Sequence, residues 1–239
     1  DPDIKGTGGA ITNSGNFGKS GSAGASTISA AFSNNSGLLN ISSGQINVSG
    51  GFNLTGTGSI TGGIYQTGGS GNLSGALTGT GTVGLTGGTL TVAGTSFVPG
   101  YYQYGGTLNG SADLTATSGF YWATGTMSGT GKTIVGSAVT TGTIHTSDYG
   151  VAEPVLTRTL QNNGTIRHEG GYFNNSLTIN TGGTLDNQGT YLFIADTGIN
   201  GSGGVVTNSG TFGKSGGTGA STISAAFSNN SGLLNISSG

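Results

Sequence analysis

Apolar residues along this chain come in short alternating bursts separated by glycine, asparagine and serine; Thr89-Leu90-Thr91-Val92 and Leu177-Thr178-Ile179 are examples. Alternation at period two puts one set of side chains on one side of an extended backbone, so each burst predicts a half-buried strand. The Gly, Asn and Ser between bursts are the residues that turn a chain sharply. No long window repeats apolar residues at helical spacing with caps and charge, so no helix is predicted.

The bursts are spaced regularly. A Gly-Thr-apolar triplet recurs at Gly88, Gly106, Gly125, Gly142, Gly164, Gly183 or Gly189 and Gly210, with Leu in place of Thr after Gly232. Two or three strands per step suit one coil of a solenoid, whose backbone pairs with the coils above and below. The expected fold is all-β: a right-handed parallel β-solenoid, or β-helix, with coils of about 17–22 residues. Its hand follows from the chirality of parallel crossovers. Roughly twelve coils at about 4.8 Å each would make a rod about 55–60 Å long. An antiparallel sandwich also uses short strands, but it accounts less well for columns of like residues.

Three such columns are expected. Asn13, Asn35, Asn162, Asn187, Asn208 and Asn230 stand two residues before a glycine and are read as a structural amide ladder along the axis. Thr89, Thr107, Thr126, Thr143, Thr165, Thr184 and Thr211 form a second column. The residue after each (Leu90, Leu108, Met127, Ile144, Ile166, Leu185, Phe212) is assigned to the core.

A longer period contains the short one. Residues 1–44 recur at 196–239, at an offset of 195 without a gap, and 35 of the 44 are identical. TNSGNFGKSGSAGASTISAAFSNNSGLLNISSG from Thr12 is echoed by TNSGTFGKSGGTGASTISAAFSNNSGLLNISSG from Thr207. Residues 1–195 are therefore expected to be one full period of a tandem β-solenoid array. Residues 196–239 would begin the next, equivalent to 1–44 and on a continuous axis.

Composition narrows the class. Gly supplies 53 of 239 residues and only 6% are charged, against about 25% in globular proteins; ordinary helical surfaces are thereby disfavoured. The 32% of hydrophobic residues, recurring in register, argue against a flexible silk-like segment. A net charge of −2 without a basic cluster points away from nucleic acid. No run of 18 apolar residues offers a helical membrane span. The absence of cysteine removes disulfides and thiolate metal sites.

GGTLTVAG, GGTLNGSADLTATSGFYWATGTMSGTGKTIV, LTRTLQNNGTI and TNSGTFGKSGGTGASTISAAFSNNSG resemble the repeats of very large bacterial surface and secreted β-helix proteins, described as filamentous-haemagglutinin-like or autotransporter-like β-strand-repeat adhesins. The resemblance covers essentially the whole chain and is one of repeat style, not of a catalytic fingerprint. It implies secretion, display at the bacterial cell surface and adhesive or matrix-building work in a filament or biofilm, with no cofactor. Copies of the same repeat, glycans and cell surfaces are the partners it implies.

Candidate chemistry is sparse. Gly-Lys-Ser or Gly-Lys-Thr begins at Gly18, Gly131 and Gly213, but the position five before each glycine holds Asn13, Thr126 and Asn208, so none is a phosphate loop. Ionisable residues concentrate at His145, Asp148, Glu153, Arg158, Arg167, His168, Glu169 and Asp186. The triplet register stacks His145, Arg167 and Asp186 as a surface ladder. Glu169 and Asp186 are the only carboxylates placed to act as a pair, as a carbohydrate-cleaving β-helix would require. No metal set and no catalytic set is assigned. Aromatics bunch at Tyr101, Tyr102, Tyr104, Phe120, Tyr121 and Trp122, with Tyr101 over Phe120 and Tyr102 over Tyr121. One alternating set belongs in the core, and the other is a candidate contact strip. The long, charged interval 147–162 is expected to form an extended coil projecting from the rod.

Overall fold

The computed structural model describes residues 1–6, 8–146, 152–170 and 176–239. Among these there is no helix, and the strands stack in parallel as a β-solenoid of about 10 turns, roughly 45–50 Å long at the usual strand spacing. The coil count falls below the expected twelve because coils run from 18 residues (Leu90 to Leu108) to 29 (Met127 to Leu156).

Each turn crosses three faces. The first carries Ala10–Asn13, Ala31–Asn34, Phe52–Leu54, Ser70–Leu73 and Thr89–Val92, and later Val155–Leu156, Ser176–Asn180 and Gly198–Ser202. The second carries Asn16–Lys19, Leu38–Ile41 and Thr57–Ile60 at its start and Thr184–Asn187, Val205–Asn208 and Ala226–Asn229 at its end. The third runs from Ala25–Ile28 through Gln45–Val48 to Thr190–Phe193, Thr211–Lys214 and Leu233–Ile236. Two long strands, Ser96–Gly110 and Leu114–Met127, pass round all three faces with register shifts at the corners.

The alternation works as the sequence requires. Thr89–Val92, Thr184–Asn187 and Val205–Asn208 all alternate between half-buried and buried positions. Leu90, Leu108, Met127, Ile144, Ile166, Leu185 and Phe212 lie in the core. One apolar core fills the tube from Ile28 to Ala225, each large side chain contributing about 1.5–3 kcal/mol by leaving water.

The Gly-Thr triplet marks three different corners, with Gly183 between the first and second faces. Gly88, Gly106 and Gly125 turn the chain from the third face to the first, each at positive φ, and a Cβ on any of them would collide with the glycine backbone one turn away. Gly164, Gly189 and Gly210 stack at the corner between the second and third faces. The expected threonine column is split accordingly. Thr89, Thr107 and Thr126 align on the first face, whereas Thr165 and Thr211 align through Thr190 on the third. Thr184 stands over Thr159 on the second.

The longest coil lies where an extended one is expected. Of the interval 147–162, positions 147–151 lie outside the described residues. Glu153 is half-buried, and Arg158 turns inward at the corner between the first and second faces instead of projecting.

Candidate functional site

Period-two alternation on a three-sided tube sends alternate side chains to the interior and to solvent. On the third face this divides the aromatic bunch. Tyr101 aligns with Phe120 and Tyr102 with Tyr121. Tyr101, Phe120 and Trp122 are buried; the Tyr101 hydroxyl donates to Gln103 Oε1 at 3.0 Å and Trp122 Nε1 donates to the Thr124 carbonyl at 3.0 Å. Satisfied in this way, these three are core and not contact residues, so the strip contracts to Tyr102, Tyr104 and Tyr121.

Two residues not assigned to the strip extend it. Tyr65 aligns with Gly84, which aligns with Tyr102, and the Tyr65 ring lies over Gly84 where a Cβ would otherwise stand. Tyr104 stacks on Tyr121 with centroids 5.0 Å apart, and Tyr121 on His145 at 6.2 Å. Tyr102 tilts against Tyr121 at 5.9 Å. Of these rings Tyr104 is exposed, and Tyr65, Tyr102 and Tyr121 are half-buried. Partial burial first, and neighbouring phenols second, hold the hydroxyls of Tyr65 and Tyr104 above the usual phenol range. Tyr121 is raised by burial, then by Tyr104 and Glu169. Tyr65, Tyr104 and Tyr121 therefore keep their hydroxyl protons at physiological pH.

The ladder expected from His145, Arg167 and Asp186 does not form. His145 aligns with Glu169, its Nδ1 3.6 Å from Oε1, a half-exposed pair worth at most about 1 kcal/mol. Arg167 aligns with Thr143 and Leu192 on the same face. Asp186 is on the second face between Gln161 and Thr207. Glu169 and Asp186 stand on adjacent faces and do not confront each other. The triplet register failed because Asp186 follows a glycine at a different corner, and because the strands of His145 and Arg167, though on one face, pair two residues out of that register.

The amide ladder exists in two runs. Asn13 Nδ2 donates to Asn34 Oδ1 at 2.6 Å at the corner between the first and second faces. At the next corner Asn162 donates to Asn187, Asn187 to Asn208 and Asn208 to Asn229, each at 2.7 Å. Asn35 and Asn230 are not members. Both are exposed, and their predecessors Asn34 and Asn229 accept the ladder hydrogen bonds instead. The cause is one extra residue in the turn: Ser36 and Ser231 adopt left-handed φ of 61° and 66°. Gln66 and Gln103, which the asparagine pattern could not reveal, cap the third corner by donating to the Thr89 and Thr126 carbonyls at 2.8 and 3.2 Å.

Among the described residues Arg158, His168 and Lys214 are buried; Lys214 pairs with Asp196 near the end of the rod, and the other two lie inside it. Arg158 donates through Nε to Gly131, Nη1 to Ser128 and Nη2 to Ala112 carbonyls at 2.8, 3.1 and 3.1 Å, tying three turns. Burial lowers its pKa, against the opposing influence of Tyr101 and Asp113. His168 sits inward between Ile144 and Phe193, sharing a 2.7 Å hydrogen bond between Nδ1 and the Tyr191 hydroxyl. Burial, then the charge of His145, pushes it down to about 3. Glu153 Oε2 has no partner among the described residues, and burial raises this carboxyl to about 7. Among the described residues no three His, Asp or Glu side chains gather as metal ligands, and no helix is long and apolar enough to cross a membrane.

No protein-family model, curated protein or solved structure matches the chain. Its likeness to β-helix repeat proteins is therefore carried by the solenoid itself.

Proposed function

We propose that this chain is a non-enzymatic structural and adhesive component of an extracellular bacterial fibre, a secreted or cell-surface filament of repeated β-solenoid units. The observation that carries the proposal is the recurrence of residues 1–44 at 196–239 inside one unbroken tube. Asn13 bonds Asn34 as Asn208 bonds Asn229, and Lys19 meets Asp1 at 2.7 Å as Lys214 meets Asp196. Adjacent repeats along the fibre axis are then the principal partners, and no cofactor is called for. Electron microscopy and immunolabelling of the producing cell test the reading: filaments at or beyond the surface are expected, and label confined to the cytosol would refute it.

A second reading, carbohydrate binding, draws support from the outward Tyr65, Tyr102, Tyr104 and Tyr121. Glycan-array binding that Tyr104→Ala abolishes would favour it. The separation of Glu169 from Asp186 weighs against a cleaving version.

A further inference from the structure

We propose that the coil formed by Ala226–Asn229 and Leu233–Ile236 is a joining edge for a second unit of this same sequence, and that each joined unit is turned by one face relative to the last. This rests on the fibre reading and adds the partner and the geometry of the joint.

The occupant of the edge is identified within the chain. Ala226–Asn229 and Leu233–Ile236 repeat Ala31–Asn34 and Leu38–Ile41 residue for residue. In the first copy Phe32 is covered by Phe52, Leu39 by Gly58 and Ile41 by Ile60, and all three are 0% exposed. In the second copy Phe227, Leu234 and Ile236 are 37%, 52% and 68% exposed. They line a largely apolar cavity of about 360 Å³ with Phe193, Phe212 and Ile223. The complement is therefore a coil with the sequence of residues 45–66. In a separate folded copy that coil is already occupied by its own residues 1–44, so the joint is made by units that share the 44-residue segment.

The rotation follows from counting. From Ala10–Asn13 the first face climbs through Ala31–Asn34, Phe52–Leu54, Ser70–Leu73, Thr89–Val92, the two long strands, Val155–Leu156 and Ser176–Asn180 to Gly198–Ser202, nine steps in all. Val205–Asn208, the repeat of Ala10–Asn13, comes next, on the second face. Thr211–Lys214, the repeat of Asn16–Lys19, is likewise on the third face instead of the second. One period is thus nine and one-third turns. Local contacts survive the change of face: Phe17 and Phe32 lie 4.8 Å apart, Phe212 and Phe227 5.2 Å, and Ile4 bridges Ile28 as Ile199 bridges Ile223. In a fibre the tyrosine strip would point in three directions in turn. It would regain its first after three units, about 28 coils or roughly 130 Å.

The test is a chain in which residues 45–239 are appended after Gly239, studied by cryo-electron microscopy and hydrogen exchange beside the 239-residue chain. One continuous rod is expected, with the second tyrosine strip a third of a turn from the first. Amides of 226–236 should exchange at least about a hundredfold more slowly than in the shorter chain. Ile236→Asp should abolish that gain while leaving the remainder of the 239-residue chain protected. A continuous rod with both strips on one face would defeat the rotation and leave the fibre reading intact. Two rods on a hinge, with unchanged exchange at 226–236, would defeat both.

Discussion

Asn187 donates through Nδ2 to Oδ1 of Asn208 at 2.7 Å while its own Oδ1 accepts from Asn162 at 2.7 Å. Its Nδ2 also lies 2.9 Å from the Thr211 carbonyl. Each amide thus links a turn to the next and closes the corner between two faces. Replacing Asn187 by Ala leaves the Asn208 oxygen and the Thr211 carbonyl without this donor in a buried corner, which is expected to cost about 2–4 kcal/mol. The exposed Asn35→Ala change should stay within about 0.5 kcal/mol. Urea unfolding midpoints compare them, and equal losses would contradict a special role for the inward amide.

Gly88 has φ of 74°, and a Cβ there would collide with the Gly69 carbonyl oxygen. Gly88→Ala combines left-handed strain of about 1–2 kcal/mol with that clash, so a loss of at least about 2 kcal/mol is expected. Gly9→Ala, with nothing within 4 Å of the new carbon, serves as the neutral comparison. Thermal melts of the two variants decide the matter.

His168 is held neutral in the core, at about 3 against an ordinary 6.5. Its folded value is depressed, so the unfolded chain takes up a proton first as the solution is acidified. The stability is complete above about pH 6.5 and is lost progressively toward pH 3, by several kcal/mol in total. His168→Phe should flatten that part of the profile. Parallel acid titrations for the two proteins would show that other groups dominate.

Arg158 satisfies carbonyls from three earlier positions with one planar fork. Lysine keeps the charge but cannot span them, so Arg158→Lys is expected to lose about 2–4 kcal/mol. Hydrogen exchange should localise the loosening to residues 110–131. Uniform loosening along the rod would count against the clamp.

How far the sequence could be read depended on the range of the interaction. Leu90, Met127 and Leu185 were assignable to the core because alternation and apolarity are local. Tyr102 over Tyr121 was legible because the two coils there differ by one constant step. Asn34 was displaced by Asn35 because an extra turn residue, Ser36, is invisible to a fixed spacing from glycine. Tyr65 was missed because its link to Tyr102 runs across the empty position at Gly84.

The sequence by itself determined that the backbone is extended, that the apolar residue after each Gly-Thr points inward, where the chain turns, and that one segment is used twice. Those properties depend on each residue's own chemistry and its immediate neighbours. Only the tertiary structure decided on which face each strand lies. The three strands of a coil are chemically alike, and coils vary from 18 to 29 residues, so a face is fixed by the accumulated length of every coil before it. That is why Asp186 stands on the second face while His145 and Arg167 share the third, and why Asn208 repeats the bond of Asn13 one face further round.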